Sequence, residues 1–256
     1  MKNRRKTAAE IRAMRESGRM LAQVLELLQQ KIAAGMTTGE LDQIARKELA
    51  ALGGEPAFLG YKPEPGGSGF PGVLCVSVND EIIHGVPSND RVLQDGDLVG
   101  LDFGVRYNGM ITDAAITVGV GKVSAEADRL ITATQEALAA GVAAVHGGGR
   151  VGEISAAVQA RLDRDQLGIV ELFSGHGVGH ELHEDPAIFN FGPASQGPRL
   201  QAGQTIAIEP MATLGSGEVV MSKDGWTIKT ADGTLGAHFE HTVSVTEAGG
   251  EILTQL

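Results

Sequence analysis

The sequence predicts a fold of mixed helices and strands arranged as two related halves. Two observations carry this expectation. Segments with a helical apolar period alternate with blocks of short β-branched runs, in the order helices, strands, helices, strands. In addition, Leu93–Asp102 aligns without gaps to Leu200–Glu209, and Asp113–Val118 aligns further on to Glu240–Val245. Over 256 residues the chain is 42% apolar and 21% charged, the balance of a globular protein, and its 36 glycines call for many tight turns.

The elements follow in order. Residues 7–33 place Ile11, Met14, Met20, Leu21, Val24, Leu25 and Leu28 on one helical face, and Gly35 is expected to end that helix. Thr38 then reads as the cap of a second helix through Leu41, Ile44, Ala45 and Leu49, with Asp42 in its first turn. Residues 53–72, rich in Gly and Pro, read as a loop, because a strand-like run follows at once. Strands are expected at Val73–Val78, Asp97–Asp102 and Ala115–Val118. Helical periodicity returns over 125–145 and 151–164, and strand and loop patterns run from there to the end. The halves divide at about 8–121 and 122–256.

Composition excludes several roles. A formal net charge of −11 disfavours a surface built for phosphate backbones or anionic lipid, so neither DNA nor membrane is an expected partner. The basic run Lys2, Arg4, Arg5 and Lys6 reads as a solvated tail over residues 1–6, with no apolar region after it to make a signal peptide. No stretch approaches the roughly 18 apolar residues of a membrane span. The single cysteine, Cys75, forbids an intrachain disulfide and fits a reducing cytoplasm.

The internal repeat points to chemistry. It superimposes Asp102 on Glu209 and Asp113 on Glu240, so each half contributes two acids at matching places. These acids begin or end apolar strands, where a carboxylate is costly unless paired or bound to metal. Four carboxylates brought to one centre would force at least one to protonate; two divalent cations would balance them and leave room for a bridging hydroxide. His176 is the imidazole candidate, flanked by Gly175 and Gly177, which permit close backbone approach. His180, His183 and His84 stand in similar glycine-flanked or turn-like settings. Hard oxygens with one imidazole suit Mn, Fe, Co or Zn. Two such ions activate water and polarise a carbonyl, and neutral His84 and His183 are candidates to hydrogen-bond a developing oxyanion or leaving nitrogen.

An ordered set of motifs extends this reading. Asn79-Asp80-Glu81-Ile82-Ile83-His84-Gly85-Val86-Pro87, Leu101-Asp102-Phe103-Gly104, Thr112-Asp113-Ala114-Ala115, Gly175-His176-Gly177-Val178-Gly179, His183-Glu184-Asp185-Pro186, Ile208-Glu209-Pro210-Met211 and His238-Phe239-Glu240-His241-Thr242 together resemble the type I methionine aminopeptidases, from about Ala8 onward. The resemblance implies the pita-bread fold, an α+β architecture of two pseudo-symmetric halves around a curved antiparallel sheet, as one catalytic domain over 1–256. It implies that Asp113 and Glu240 bridge two divalent ions (Co, Mn, Fe or Zn), that Asp102 chelates one, and that His176 and Glu209 complete the other. A hydroxide bridging the ions would attack the scissile carbonyl. His84 would bond near the scissile nitrogen, His183 near the carbonyl oxygen, and Glu209 would also manage the proton. The implied substrate is the N-terminal peptide of a nascent protein, with the initiator methionine before a small second residue. An apolar methionine pocket would map to Phe58, Tyr61, Phe70, Cys75, Leu182 and Trp226, with ordinary core as the alternative for each, least so for Trp226, the only Trp, in Asp224-Gly225-Trp226-Thr227.

The resemblance is to the short bacterial form, a cytoplasmic monomer with transient ribosome contact, lacking an N-terminal zinc-finger extension and the inserted helical subdomain of type II relatives. Two departures stand out. Lys62–Gly69 is longer than the usual compact turn, and His180, Glu181 and Leu182 replace the usual Arg and Phe-like residues before His183. Prolidase-like peptidases share such a centre but usually carry a separate N-terminal domain, and relatives that bind protein or RNA have lost their metal ligands.

Overall fold

The computed structural model describes residues 3–63 and 66–256. Two helices open the chain, α1 (Ala8–Lys31) and α2 (Thr38–Leu52). The strands β1 (Glu55–Pro56), β2 (Leu74–Val78), β3 (Glu81–Ile83), β4 (Leu98–Tyr107) and β5 (Met110–Gly119) follow. Then come α3 (Ala125–Ala143) and α4 (Val151–Arg164). The second strand block holds β6 (Gly168–Ile169), β7 (Gly175–Gly177), β8 (Glu184–Ile188), β9 (Thr205–Ile208) and β10 (Met211–Thr213). It ends with β11 (Val219–Met221), β12 (Ile228–Thr230), β13 (Gly236–His238), β14 (Glu240–Val245) and β15 (Gly250–Ile252).

The main sheet runs β1-β4-β5-β14-β9-β7-β8, with β2 added on β4 and β15 on β14. Its pairings are antiparallel. The aligned segments of the sequence therefore take mirrored places: β4 and β5 on one side of the seam, β9 and β14 on the other, with β5 and β14 in contact. One face of each half is covered by its own helix pair. Leu21, Val24, Leu28, Leu41 and Leu49 of α1 and α2 pack with Leu74, Leu101 and Phe103, while Leu130, Ile154 and Val158 of α3 and α4 pack with Ile206, Ile208 and Val243. Because side chains alternate along a strand, Leu101 and Phe103 facing the helices send Asp102 to the opposite face.

Local signals explain most boundaries. Thr7 and Glu10 form a capping box that starts α1, and Thr37 and Glu40 form one for α2. The cap of α2 is thus Thr37 rather than Thr38, and its first-turn acid is Glu40. Asp42 lies deeper and accepts hydrogen bonds from Val73 N at 2.6 Å and Leu74 N at 3.1 Å, tying α2 to the start of β2. Helix α1 stops at Lys31, before Gly35. Strands β4 and β5 pair along their whole lengths about Asn108 and Gly109, both at positive φ, far beyond the expected runs. The 53–72 loop contains the short β1.

The N-terminal tail also needs correction. Arg4 and Arg5 are exposed, but Asn3 and Lys6 are buried, and Lys6 Nζ meets Glu184 Oε2 at 2.8 Å. Burial lowers the Lys6 pKa, and the hydrogen bond and charge of its buried carboxylate partner offset part of that desolvation. Lys2 lies outside the described residues. Among the described residues no helix is long and apolar enough to cross a membrane.

Candidate metal centre

Register across the central strands gathers the acids. Cys75 pairs with Asp102, Asp102 with Ala115, and Ala115 on its other side with Glu240, so four residues form one row across β2, β4, β5 and β14. Residues in such a row project from one face, and Asp113, two positions from Ala115, shares it. The small Ala115 leaves space between the flanking carboxylates.

His176 reaches this face from β7. Its two glycines are required by packing: a Cβ at Gly175 would lie 2.3 Å from Ala207 O, and one at Gly177 would lie 2.2 Å from Asp185 O. His176 Nδ1 is 2.9 Å from Gly177 O, which makes Nδ1 the protonated nitrogen and leaves the Nε2 lone pair free. Ligand atoms of Asp113, His176 and Glu240 lie within 4.8 Å of one another. Glu209, at the end of β9, places Oε1 3.5 Å from His176 Nε2. Asp102 lines the same cavity.

Electrostatics and satisfaction both point to cations. Burial and then mutual repulsion push the carboxyls of Asp102 and Glu240 well above their ordinary range. Burial, followed by the Glu209 charge, raises Asp113 to about 8, and burial raises Glu209 to about 8. Burial lowers His176 to about 3, so its imidazole is neutral and able to ligate. Asp102 Oδ1, Asp113 Oδ1 and Glu240 Oε1 are buried without a hydrogen-bond partner among the described residues. Buried acceptors are rarely left so, and this oxygen-rich set with one imidazole fits divalent metal.

The centre forms the floor of a cavity of about 700 Å³. Phe58, Tyr61, Phe70, Cys75, Leu182 and Trp226 line it, with Phe70 edge-on to both Phe58 and Trp226 at centroid distances of 6.5 and 5.3 Å. His84 and His183 line it as well, and burial lowers both to about 4, so each is neutral near pH 7. His84 has φ 59°, an uncommon left-handed conformation for a residue with a side chain, and its ring stands edge-on to Phe173. Tyr61 Oη is 2.6 Å from His183 Nδ1, leaving Nε2 as the nitrogen available to a ligand.

Comparison with known proteins agrees with this geometry. The sequence matches metallopeptidase family M24 over residues 12–247. It is 44% identical over 251 residues to methionine aminopeptidase 1 of Bacillus subtilis, covering 98% of each chain. The chain belongs to the methionine aminopeptidases of family M24. The structure of the Thermotoga maritima methionine aminopeptidase superimposes with a TM-score of 0.95 at 38% identity, covering 99% of this chain and 100% of that one. Prolidase from Pyrococcus furiosus shares the fold alone, with a TM-score of 0.79 at 24% identity over 98% of this chain and 65% of that one.

As a methionine aminopeptidase the chain is a hydrolase of the pita-bread fold that uses divalent metal. Three of the four glycine-flanked or turn-set histidines meet at its cavity; His180 instead bonds Glu10, with Nε2 2.8 Å from Oε1. Of Lys62–Gly69, Pro63, Gly67 and Ser68 line the cavity, whereas Glu64 and Pro65 lie outside the described residues. One neighbour of the centre escaped the sequence reading. His238 Nε2 lies 3.5 Å from Glu209 Oε2, is buried, and has no hydrogen-bond partner among the described residues. Its spacing of two residues from Glu240 was the available signal. Ile83, Phe173 and Ile228 also line the cavity and were not singled out.

Proposed function

We propose that this chain releases the initiator methionine from N-terminal peptides of nascent proteins when the second residue is small, using two divalent cations. The observation that carries the reading is the convergence of partnerless carboxylate oxygens with His176 at the floor of an apolar cavity. Asp113 and Glu240 would lie between the cations, Asp102 would complete one coordination set, and His176 with Glu209 the other. Co, Mn, Fe and Zn all suit these donors. When bound, the pair of ions supplies a water ionised near neutral pH and an electrophile for the carbonyl.

The remaining work belongs to side chains. Phe58, Tyr61, Phe70, Cys75, Leu182 and Trp226 hold the methionine side chain, whose thioether packs well on aromatic and sulfur surfaces. His183, oriented by Tyr61, donates from Nε2 to the carbonyl oxygen as negative charge develops there. His84 hydrogen-bonds near the scissile nitrogen. Glu209, ionised once bound cations displace its proton, would take up the proton released as the water ionises and return it to the leaving nitrogen. The expected setting is the cytoplasm, as a monomer in transient contact with the ribosome.

The test uses metal-stripped protein with and without Mn²⁺ or Co²⁺, the peptides Met-Ala-Ser, Gly-Ala-Ser and Met-Pro-Ser, and an Asp113→Ala variant. Metal-dependent release of methionine alone, lost in the variant, is the expected result. A folded, metal-loaded protein that frees no methionine would overturn the proposal.

A further inference from the structure

Two features that the metal centre leaves unexplained meet one another: the basic N-terminal run and the altered stretch before His183. Lys6 Nζ donates to Glu184 Oε2 and to Asn3 Oδ1, each at 2.8 Å, and the Lys6 and Glu184 side chains are 0% and 2% exposed. The other carboxylate oxygen of Glu184 accepts from His180 N at 2.7 Å and Glu181 N at 3.2 Å. One carboxylate therefore joins the N-terminal segment to the turn that carries Leu182 and His183. The segment is itself anchored, since Asn3 Nδ2 donates to Thr205 O at 2.8 Å and Lys6 N to Gly203 O at 2.7 Å. Space for the lysine comes from Gly179, at φ 145°, where a Cβ would lie 2.4 Å from Lys6 Cε. His180 Nε2, 2.8 Å from Glu10 Oε1, adds a second tie from the start of α1.

We propose that Lys6 is a positioning residue for the reaction: through Glu184 it fixes the His180–Glu184 turn and so aims His183 and Leu182 into the cavity. The inference rests on the role proposed above for His183. A side chain that orients another without touching substrate acts in the manner of the outer partners of metal ligands, whose loss costs about 10- to 100-fold in activity. Tyr61 holds the His183 ring from one side, and Lys6 with Glu184 holds the backbone that carries it.

A double-mutant cycle on the Mn²⁺-loaded full chain tests this, with kcat and KM measured for wild type, Lys6→Met, His183→Ala and the combination. Lys6→Met is expected to lower kcat/KM about 10- to 100-fold with unchanged metal stoichiometry. Adding His183→Ala to it should cost far less than His183→Ala costs wild type, because both act through one imidazole. The His183 ring nitrogen resonances of the metal-free protein should shift in Lys6→Met. Because Lys6→Met strands a buried carboxylate, Lys6→Met/Glu184→Gln replaces it in the cycle if the single variant does not fold. Losses that multiply independently, or wild-type kcat/KM in a folded Lys6 variant, overturn the proposal while leaving the role of His183 intact. Failure of both forms to fold assigns Lys6 to folding alone and overturns it too. A silent His183→Ala refutes the catalytic role of His183, and this proposal with it.

Discussion

Asp102 and Glu240 sit on opposite sides of Ala115, each its direct cross-strand partner, one from β4 and the other from β14. The methyl group of Ala115 is thus the spacer of the centre, and any longer side chain there would enter the volume the carboxylates enclose. Ala115→Val is expected to weaken metal binding and to lower kcat/KM on the order of 100-fold, since displacements near 1 Å carry that effect. Calorimetric titration with Mn²⁺ beside a far-ultraviolet spectrum checks it; full metal affinity in the folded variant would contradict the placement.

Metal uptake should release protons. With Asp113 and Glu209 raised to about 8, the metal-free centre holds protons at pH 7 that cations must displace. Apparent affinity for Mn²⁺ should therefore climb as pH rises toward 8. Titrations in two buffers of different ionisation enthalpy measure the protons released.

The same shifts set the sign of pH-dependent stability. Carboxyls raised in the folded state bind more protons there than in the unfolded chain, so their contribution is complete below the ordinary carboxylate range and is lost as pH climbs through about 8. The metal-free protein should melt at lower temperature at pH 8 than at pH 5.5, and added Mn²⁺ should raise the pH 8 value most. A melting temperature independent of pH over this range would refute the repulsion.

Tyr61→Phe keeps the ring but removes the hydroxyl 2.6 Å from His183 Nδ1. The expected effect is a fall in kcat of about 10- to 100-fold with metal stoichiometry unchanged, as for other partners that fix an imidazole tautomer. Steady-state kinetics on Met-Ala-Ser decide it.

Thr37→Ala offers a contrast far from the chemistry. It breaks the capping box of α2 and should lower stability by about 1 kcal/mol, read by urea denaturation, with kcat/KM unaltered.

Much of the site was legible because burying a charge is expensive enough to leave a mark in local sequence. An acid that closes an apolar run of sequence, as Asp102 and Glu209 do, stands out against its neighbours, although Asp102 and Asp113 lie within β4 and β5 rather than at their ends, and the repeat placed four such acids in two matching pairs. Helix periods and the 151–164 boundaries were readable for the same local reason. The long β4–β5 hairpin is signalled by Asn108-Gly109, but the strand halves next to that turn mix Gly104, Arg106 and Thr112 into the alternation and fall outside the expected runs. Lys6 and Glu184 are 178 positions apart, and nothing in a run of basic residues tells a solvated tail from a buried ion pair. His180 likewise gains its partner, Glu10, only when the start of α1 meets the turn before His183. The sequence alone determined the alternating elements, the twofold plan and the metal-seeking acids, since backbone period and the desolvation of charge act within a few residues. Tertiary structure decided which histidines line the cavity and that the N-terminal segment is tied to the turn before His183, because those contacts depend on where the fold brings distant segments together.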